Sequence, residues 1–211
     1  QHDPQFYESE YKVENGTITG NPIHPAGIIE NRRVVLNAAE WALVLQKGDI
    51  LLGTHIPSGP GYDPDHLRDS CVYAYEFYKK WFPEIDVKGC GSESWLYDPH
   101  LACLLGGRGN IADMQKQMYV YPILRGDGMT RAELFGDNPR SPEKAKLKTS
   151  LQRSAVAYMQ KGHRMTTCSM FILPEELRKI GQCPYAAPGE YEKVWQLYEN
   201  PPVFEKAEDA T

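Results

Sequence analysis

The sequence lacks any apolar run long enough to cross a bilayer, and it lacks a dense run of lysine or arginine. Its 211 residues carry 23 basic and 28 acidic side chains, which gives a formal net charge of −5. A membrane span needs about 20 consecutive apolar residues, and binding to a phosphate backbone needs a concentrated positive patch. We therefore expect neither a membrane partner nor a nucleic-acid partner.

Closely spaced metal-ligand and disulfide patterns are also missing. The 5 cysteines contain no CxxC pair, and the 6 histidines show neither HxxxH nor HExxH spacing. An odd set of scattered cysteines is typical of reduced thiols, so we expect a cytoplasmic protein without a metal site. The chain opens without a methionine or a signal-like segment, which suggests a cut end and a larger parent polypeptide.

The first fifty residues contain turn and cap signals. Asn15-Gly16 tolerates positive φ at both turn centres and predicts a β-hairpin. Asn37 followed by Glu40 has the form of a capping box and predicts a helix of two or three turns. The continuous apolar run at 50–57 then predicts a buried central strand.

The middle of the chain predicts a strand–helix–strand–helix order. Asp63-Pro64 is a helix start, with an N-cap followed by proline in the first helical position. A second strand at 87–96 precedes Asp98-Pro99, which repeats the same helix start. Successive strands joined by a helix run parallel with a right-handed crossover, so we expect the strands at 50–57 and 87–96 to pair in parallel.

The remainder predicts shorter elements. Residues 110–124 fit a helix and a strand about equally at first and become clearly strand-like at their end. Thr149 caps a helix that stops at Gly162, and a strand follows at 168–173. A final amphipathic stretch places Tyr191, Val194, Trp195 and Tyr198 on one helical stripe.

Four segments together resemble a known family. They are HIPSGPGYDPDHLRDSCVYAYEFYKKWFPE at 55–84, SESWLYDPHL at 92–101, the pair NI at 110–111, and TSLQRSAVAYMQKGHRMTTCSMFIL at 149–173. This set resembles the C-terminal GNAT-like domain of bacterial acyltransferase-domain proteins, whose fold is similar to that of the GNAT N-acetyltransferases. The resemblance implies an α/β fold with a mixed sheet. It divides the chain into an N-terminal extension at 1–19, the GNAT-like domain at 20–174, and a C-terminal helical extension at 175–211 that packs on it.

The resemblance also implies an activity and partners. It implies direct acyl transfer from acetyl-CoA or another acyl-CoA to a small-molecule or peptide amine, and a helical N-terminal domain in the same parent polypeptide. By the same resemblance we expect the acyl-CoA where the two parallel strands separate, against Ile56, Ser58, Gly59 and Gly61. The alternative is a GNAT-shaped binding or assembly module that has lost catalysis and works with its N-terminal domain.

The loop after the first parallel strand departs from the GNAT pattern. SGPGYDPDH replaces a basic or amide residue followed by two glycines, and Pro60 removes a main-chain donor. Asp63, Asp65 and Asp69 add negative charge near the proposed pyrophosphate position, which is unfavourable. A second glycine motif, GGRG at 106–109, is either an anion loop or the turn that ends a helix before a strand.

The expected acyl-CoA position supplies candidates for acid–base chemistry. His55 or Glu93 is the candidate base, and Tyr97 or Ser94 is the candidate acid for the leaving thiolate. A main-chain N–H near Ile56 is the candidate oxyanion donor. The competing interpretations are structural, namely a hydrogen-bonded core histidine at 55 and a local backbone bond from Ser94.

Two further features of the sequence leave alternatives open. Cys90 is either a thiol nucleophile paired with His55 or a small buried apolar side chain. The helix after Asp63 has more aromatic residues than one face can bury. We expect the missing N-terminal domain or a second subunit to cover the remainder, unless the tyrosines are simply part-exposed with hydrated hydroxyls.

Overall fold

The computed structural model describes residues 8–56, 59, 61–124, 126–136 and 138–196. The strands are β1 Tyr11–Glu14, β2 Thr17–Gly20, β3 Ile23–His24, β4 Ile28–Ile29, β5 Val34–Asn37, β6 Ile50–Gly53, β7 Val87–Ser94, β8 Tyr119–Pro122 and β9 Cys168–Ile172. The helices are α1 Pro64–Trp81, α2 Pro99–Leu104, α3 Asn110–Gln115, α4 Gly128–Phe135, α5 Ser150–Gln160 and α6 Pro188–Gln196.

A four-stranded mixed sheet organises the chain, in the order β6-β7-β9-β8. β6 and β7 pair in parallel, as the sequence predicts, whereas β9 pairs antiparallel with both of its neighbours. The predicted hairpin is also confirmed, because Asn15 and Gly16 adopt φ of 50° and 74° between β1 and β2. That hairpin adds β5 in a separate three-stranded sheet, and β2 runs across the expected boundary at residue 20.

Helix α1 begins and ends as its sequence predicts. The Asp63 side chain accepts a hydrogen bond from the main-chain N–H of His66, and Pro64 occupies the first helical position. The helix ends at Trp81, one residue before its Phe82 cap. The Asp98-Pro99 pair starts α2 in the same way. These caps satisfy N–H groups that the helix geometry leaves without a partner.

The main core lies between α1 and one face of the mixed sheet. Cys71 of α1 packs there with residues of three strands, including Cys90, Val120 and Met170. Because side chains alternate along a strand, the residues between these on β7, β8 and β9 project from the opposite face. The C-terminal helix α6 packs separately, where Tyr191 and Trp195 lie buried against three alanines.

Three predictions about local structure need correction. The strand at 50–57 is shorter and lies at the edge of the sheet, so Ile50 stays 50% exposed. Asn37 caps a single 3-10 turn, Ala38–Glu40, because the apolar side chain of Trp41 beyond it is exposed and packs on no core. The GGRG motif is followed by α3 rather than by a strand.

The ambiguous segment at 110–124 contains both predicted elements in succession, first α3 and then β8. The turn-rich segment before Thr149 includes α4. In the part of the chain that the structure describes, no helix combines the length and apolar character that crossing a bilayer requires.

Candidate active site

Strands β6 and β7 separate just after Gly53 and Gly91, the last residues at which they pair. The Thr54 main-chain N–H donates to the Gly91 carbonyl at 2.9 Å. The Ser92 hydroxyl then donates to the Thr54 carbonyl at 2.7 Å. A side-chain bond thus replaces further strand pairing, and β6 leaves the sheet at this point.

A bulge precedes the separation and requires a glycine. The register between the two strands shifts between Ile50 and Leu52. Across the sheet, Gly89 adopts φ of 136°, and a Cβ placed on it would lie 2.2 Å from the Ile172 carbonyl oxygen. No other residue type fits this position without moving backbone.

Tyr97 lies at the base of this separation. It is the last residue of the 3-10 turn Trp95–Tyr97 and is 1% exposed. Its hydroxyl contacts the side chains of Ser92 and Thr54, which link it to both strands. Burial raises the pKa of Tyr97, and the two hydrogen bonds only partly oppose that effect. The phenol is therefore protonated at neutral pH and available as a proton donor.

Tyr62 is a second tyrosine at this position, which the sequence analysis missed. Its hydroxyl is buried, and no hydrogen-bond partner for it occurs among the described residues. Burial raises its pKa, and the neighbouring Tyr97 adds to the shift. Nothing in its sequence context distinguished it, since it stands in a glycine-containing loop just before the Asp63 cap.

The four predicted acid–base residues lie in different environments. Ser94 is almost fully buried, and its hydroxyl accepts a hydrogen bond from the Leu96 N–H at 3.2 Å, which is the local bond considered above. Glu93 is half-buried and projects from the sheet face opposite α1, because it alternates with Ser92 and Ser94. His55 is exposed, so the core-histidine alternative is wrong. The buried Tyr97 and the more accessible Glu93 thus flank the end of strand pairing.

The predicted CoA-contacting residues follow β6. Ile56 is half-buried and packs on the main core. Gly59 and Gly61 are exposed with φ of 111° and 104°. Ser58 lies outside the described residues.

An acidic side chain already caps the N-terminus of α1. Asp63 Oδ1 accepts from the His66 N–H at 3.0 Å, and Asp63 Oδ2 lies 2.7 Å from His66 Nδ1. The backbone hydrogen bond from His66 is the main cause of the lowered pKa of Asp63. The carboxylate therefore sits where the helix dipole favours an anion.

A cavity of about 360 Å³ opens beside this turn, between α1 and α3. Asp63, Asn110 and Asp113 line it together with Lys116. The Lys116 ammonium is 2.6 Å from Glu192 Oε1. The charge of Lys116 is thus already paired with a carboxylate, and the other charged residues that line the cavity are acidic.

Cys90 does not lie in an accessible position for nucleophilic chemistry. It is 0% exposed on the α1 face of the sheet, where its thiol contacts that of Cys71. This contact and burial raise the pKa of Cys90. Because His55 is exposed instead, the structure favours the buried apolar role for Cys90 over the thiol–histidine pair.

A second polar cluster joins α2 to the segment before β9. Asp98 is 0% exposed, and its Oδ1 lies 2.5 Å from His100 Nδ1. Its Oδ2 accepts from the Thr166 N–H at 2.6 Å. Asp98 is the helix cap that the sequence suggests, and it also ties two distant segments together. Among the described residues, no group of three or more histidine, cysteine or acidic side chains is arranged to hold a metal ion.

The similarity to solved structures concerns the fold. The chain resembles an acyltransferase solved in complex with decanoyl-CoA, with 21% identity and a TM-score of 0.53, over 78% of this chain and 46% of that chain. It resembles an acyltransferase in complex with decanoyl-CoA and teicoplanin, with 19% identity and a TM-score of 0.53, over 75% of this chain and 45% of that chain. The chain thus spans less than half of these proteins.

A family model matches most of the chain, whereas no single curated sequence does. No curated protein matches the chain significantly. The model of the GNAT-like C-terminal domain matches residues 5–171. Together with the mixed sheet, this match confirms the predicted GNAT-like fold. The chain therefore belongs to the family of GNAT-like C-terminal domains.

Proposed function

We propose that the chain is an acyl-CoA-dependent N-acyltransferase of the GNAT type, which transfers an acyl group directly to an amine. The observation that carries this proposal is the separation of β6 and β7 after Gly53 and Gly91, with the Tyr97 hydroxyl at its base. The family match and the presence of decanoyl-CoA in similar structures support it.

The proposed reaction uses groups on both sides of this separation. The amine nitrogen attacks the thioester carbonyl, so that a C–N bond forms and the C–S bond breaks. Glu93 or His55 accepts the amine proton, and Tyr97 or Ser94 donates a proton to the departing thiolate. Tyr97 is the better acid, because its hydroxyl lies where the strands part. The main-chain N–H near Ile56 stabilises the oxyanion.

The phosphates of the proposed substrate face an unusual charge distribution. The repulsion between one negative phosphate charge and the Asp63 carboxylate at 4 Å is about 1 kcal/mol even in bulk water. Lys116 lines the adjoining cavity and pairs with Glu192, so a phosphate bound there exchanges one anionic partner of Lys116 for another. We therefore assign phosphate contacts to Lys116 and to the loop of Ser58, Gly59 and Gly61, with a smaller contribution from the first turn of α1.

The same charge distribution favours a second candidate. The Asp63 carboxylate accepts a hydrogen bond at the N-terminus of α1. In a conventional GNAT site the CoA pyrophosphate takes this position. A domain whose own carboxylate occupies this position is better explained as a binding or assembly module without catalysis. CoA binding without turnover distinguishes this module from the enzyme.

The exposed face of α1 supports the proposed partner. Tyr73, Phe77, Trp81 and Phe82 are exposed along this helix, and Trp81 is 60% exposed. Contiguous apolar surface of this kind marks an interaction site. We propose that a helical N-terminal domain of the same polypeptide covers it. All five cysteines lie within the described residues and are thiols rather than disulfides there. This supports the proposed reducing, cytoplasmic setting.

Release of free CoA thiol tests the proposed activity. The protein is incubated with decanoyl-CoA or acetyl-CoA and a panel of primary amines, and acylated amine is identified by mass spectrometry. We expect amine-dependent thiol release that falls at least about a hundredfold in Glu93→Gln or His55→Gln, whichever is the base. CoA binding without acylated product supports the module, and absence of both contradicts the two candidates.

A further inference from the structure

We propose that the sheet face opposite α1 is the acceptor subsite and that it takes a primary amine attached to a planar aromatic ring. This inference rests on the proposed acyl transfer and names its acceptor class. Its residues are defined by two rows across the sheet. One row is Gly91–Phe171–Tyr119, and the next is Glu93–Ser169–Tyr121. We call them the aromatic row and the acidic row.

Strand alternation places both rows on one face. Their neighbours Cys90, Val120 and Met170 project into the core beneath α1. The side chains of the two rows therefore point away from that core. In the described part of the chain, none of the apolar core clusters includes Phe171, Tyr119 or Tyr121. All three rings are half-buried and keep accessible surface.

The rings form a continuous aromatic surface. Phe171 and Tyr119 stack with their centroids 4.8 Å apart and their planes 10° apart. Tyr121 extends the surface, with its centroid 6.0 Å from Phe171. Tyr185 closes the far side by edge contacts to Tyr119 and Phe171. Ring surfaces of this kind bind another ring by offset stacking or by edge contact.

Small residues leave space beside these rings. Ser169 separates Glu93 from Tyr121 in the acidic row, and two strand spacings of about 4.8 Å each separate the outer backbones. Gly91 has no side chain in the aromatic row, although Leu51 lies over part of its position. Glu93 and Tyr121 therefore stand about 10 Å apart on this face, with only the small side chain of Ser169 between them. We call this gap the slot.

Charge orients the occupant of this slot. The Glu93 carboxylate attracts the ammonium group of an arriving amine, and Glu93 lies two residues beyond the last pairing of β6 with β7. An amine beside Glu93 is therefore close to the point where the proposed thioester lies. The ring of the same molecule then extends toward Phe171 and Tyr121.

Matched amines test this assignment. 2-Phenylethylamine and 2-cyclohexylethylamine have the same carbon skeleton, but only the first has a planar π-surface. We expect kcat/KM with decanoyl-CoA to favour 2-phenylethylamine by at least about fivefold. Phe171→Leu removes a ring and abolishes the preference, whereas Tyr119→Phe keeps the ring and retains it. Equal kcat/KM for the two amines, or an unchanged preference in Phe171→Leu, overturns the proposal.

Binding measurements separate this proposal from the proposed activity. Calorimetry with CoA monitors the donor site, and NMR titration with each amine in the absence of acyl-CoA monitors the slot. If no acyl transfer occurs, ring-selective amine binding that is lost in Phe171→Leu still supports the subsite. If the protein binds CoA but not 2-phenylethylamine, the acceptor-subsite proposal is overturned. The aromatic face would then be a surface for protein contact.

Discussion

The Ser92 hydroxyl donates a 2.7 Å hydrogen bond to the Thr54 carbonyl at the point where β6 leaves β7. Tyr97 contacts both side chains. One side-chain bond therefore ends the strand pairing and fixes the proposed proton donor in the same place. Because so few groups build this position, single substitutions report on it directly.

Replacement of Tyr97 by phenylalanine removes a hydroxyl that two partners hold. We expect turnover to fall by about a hundredfold, because the departing thiolate loses its proton donor. We expect stability to fall by only about 1–2 kcal/mol, since the ring stays in place. Thiol-release kinetics and urea unfolding measure the two quantities.

Tyr62→Phe is the matched control for this substitution. Its hydroxyl is buried without a partner among the described residues, so its removal leaves stability unchanged or raised. Turnover close to that of the unmodified protein is expected. A loss of turnover in Tyr62→Phe as large as in Tyr97→Phe contradicts the role given to Tyr97.

Buried tyrosines predict a loss of stability at alkaline pH. Burial raises the pKa of a set of phenols, namely Tyr62, Tyr97, Tyr119, Tyr158, Tyr185 and Tyr191. Their unfolded-state pKa is about 10. The folded-state pKa is higher, so their contribution is fully present below about pH 10 and is lost as pH rises through the folded-state pKa.

Urea unfolding at several pH values measures this dependence. We expect the free energy of unfolding to decline above about pH 10. Tyr62→Phe removes one of the responsible groups and makes the decline less steep. A free energy of unfolding that stays constant between about pH 9 and 11 contradicts this account.

Asp98 is expected to be the most sensitive acidic residue for stability. Asp98→Ala removes the acceptor for the His100 and Thr166 N–H groups, so two part-buried donors lose a charged acceptor. We expect a loss of about 3 kcal/mol. Asp86→Ala is the control, because Asp86 is exposed and pairs with Lys88 at the surface, where such pairs contribute less than about 1 kcal/mol. Equal urea midpoints for the two variants would show that the Asp98 cluster is not important for stability.

The exposed aromatic face of α1 predicts a partner. Phe77→Ser and Trp81→Ser are expected to leave the unfolding free energy within about 1 kcal/mol of the original, because both side chains are exposed. The same changes weaken binding to the proposed N-terminal domain by at least about tenfold. Calorimetry between the two purified domains measures this. If both variants bind the N-terminal domain with unchanged affinity, the prediction is wrong and that domain contacts another surface.

Local signals in the sequence predicted several elements because short-range chemistry decides them. Asn15-Gly16 fixes its own turn through two positive φ values, and Asp63-Pro64 supplies both the cap and the first residue of α1. The parallel pairing of β6 and β7 also followed, since a single helix joins them. The turn and the helix start depend on neighbours within a few residues, and the parallel pairing depends on the helical connection between the strands.

Other features depend on distant contacts and were missed or wrong. The apolar run at β6 does not reveal that, in the described part of the chain, only β7 pairs with it, so Ile50 was expected to be buried and is half exposed. The Tyr62 hydroxyl, which has no partner among the described residues, and the thiol contact of Cys90 with Cys71 arise only when α1 packs on the sheet. The aromatic row likewise exists only through the register of β8 and β9.

The central claim is that acyl-CoA binds where β6 and β7 separate, and calorimetric titration with CoA, acetyl-CoA and decanoyl-CoA tests it most directly. The account predicts a Kd on the order of micromolar. It also predicts tighter binding in Asp63→Asn, which keeps a capping side chain and removes the negative charge. No binding of any of the three compounds, in the chain or in a longer protein that contains it, contradicts the account.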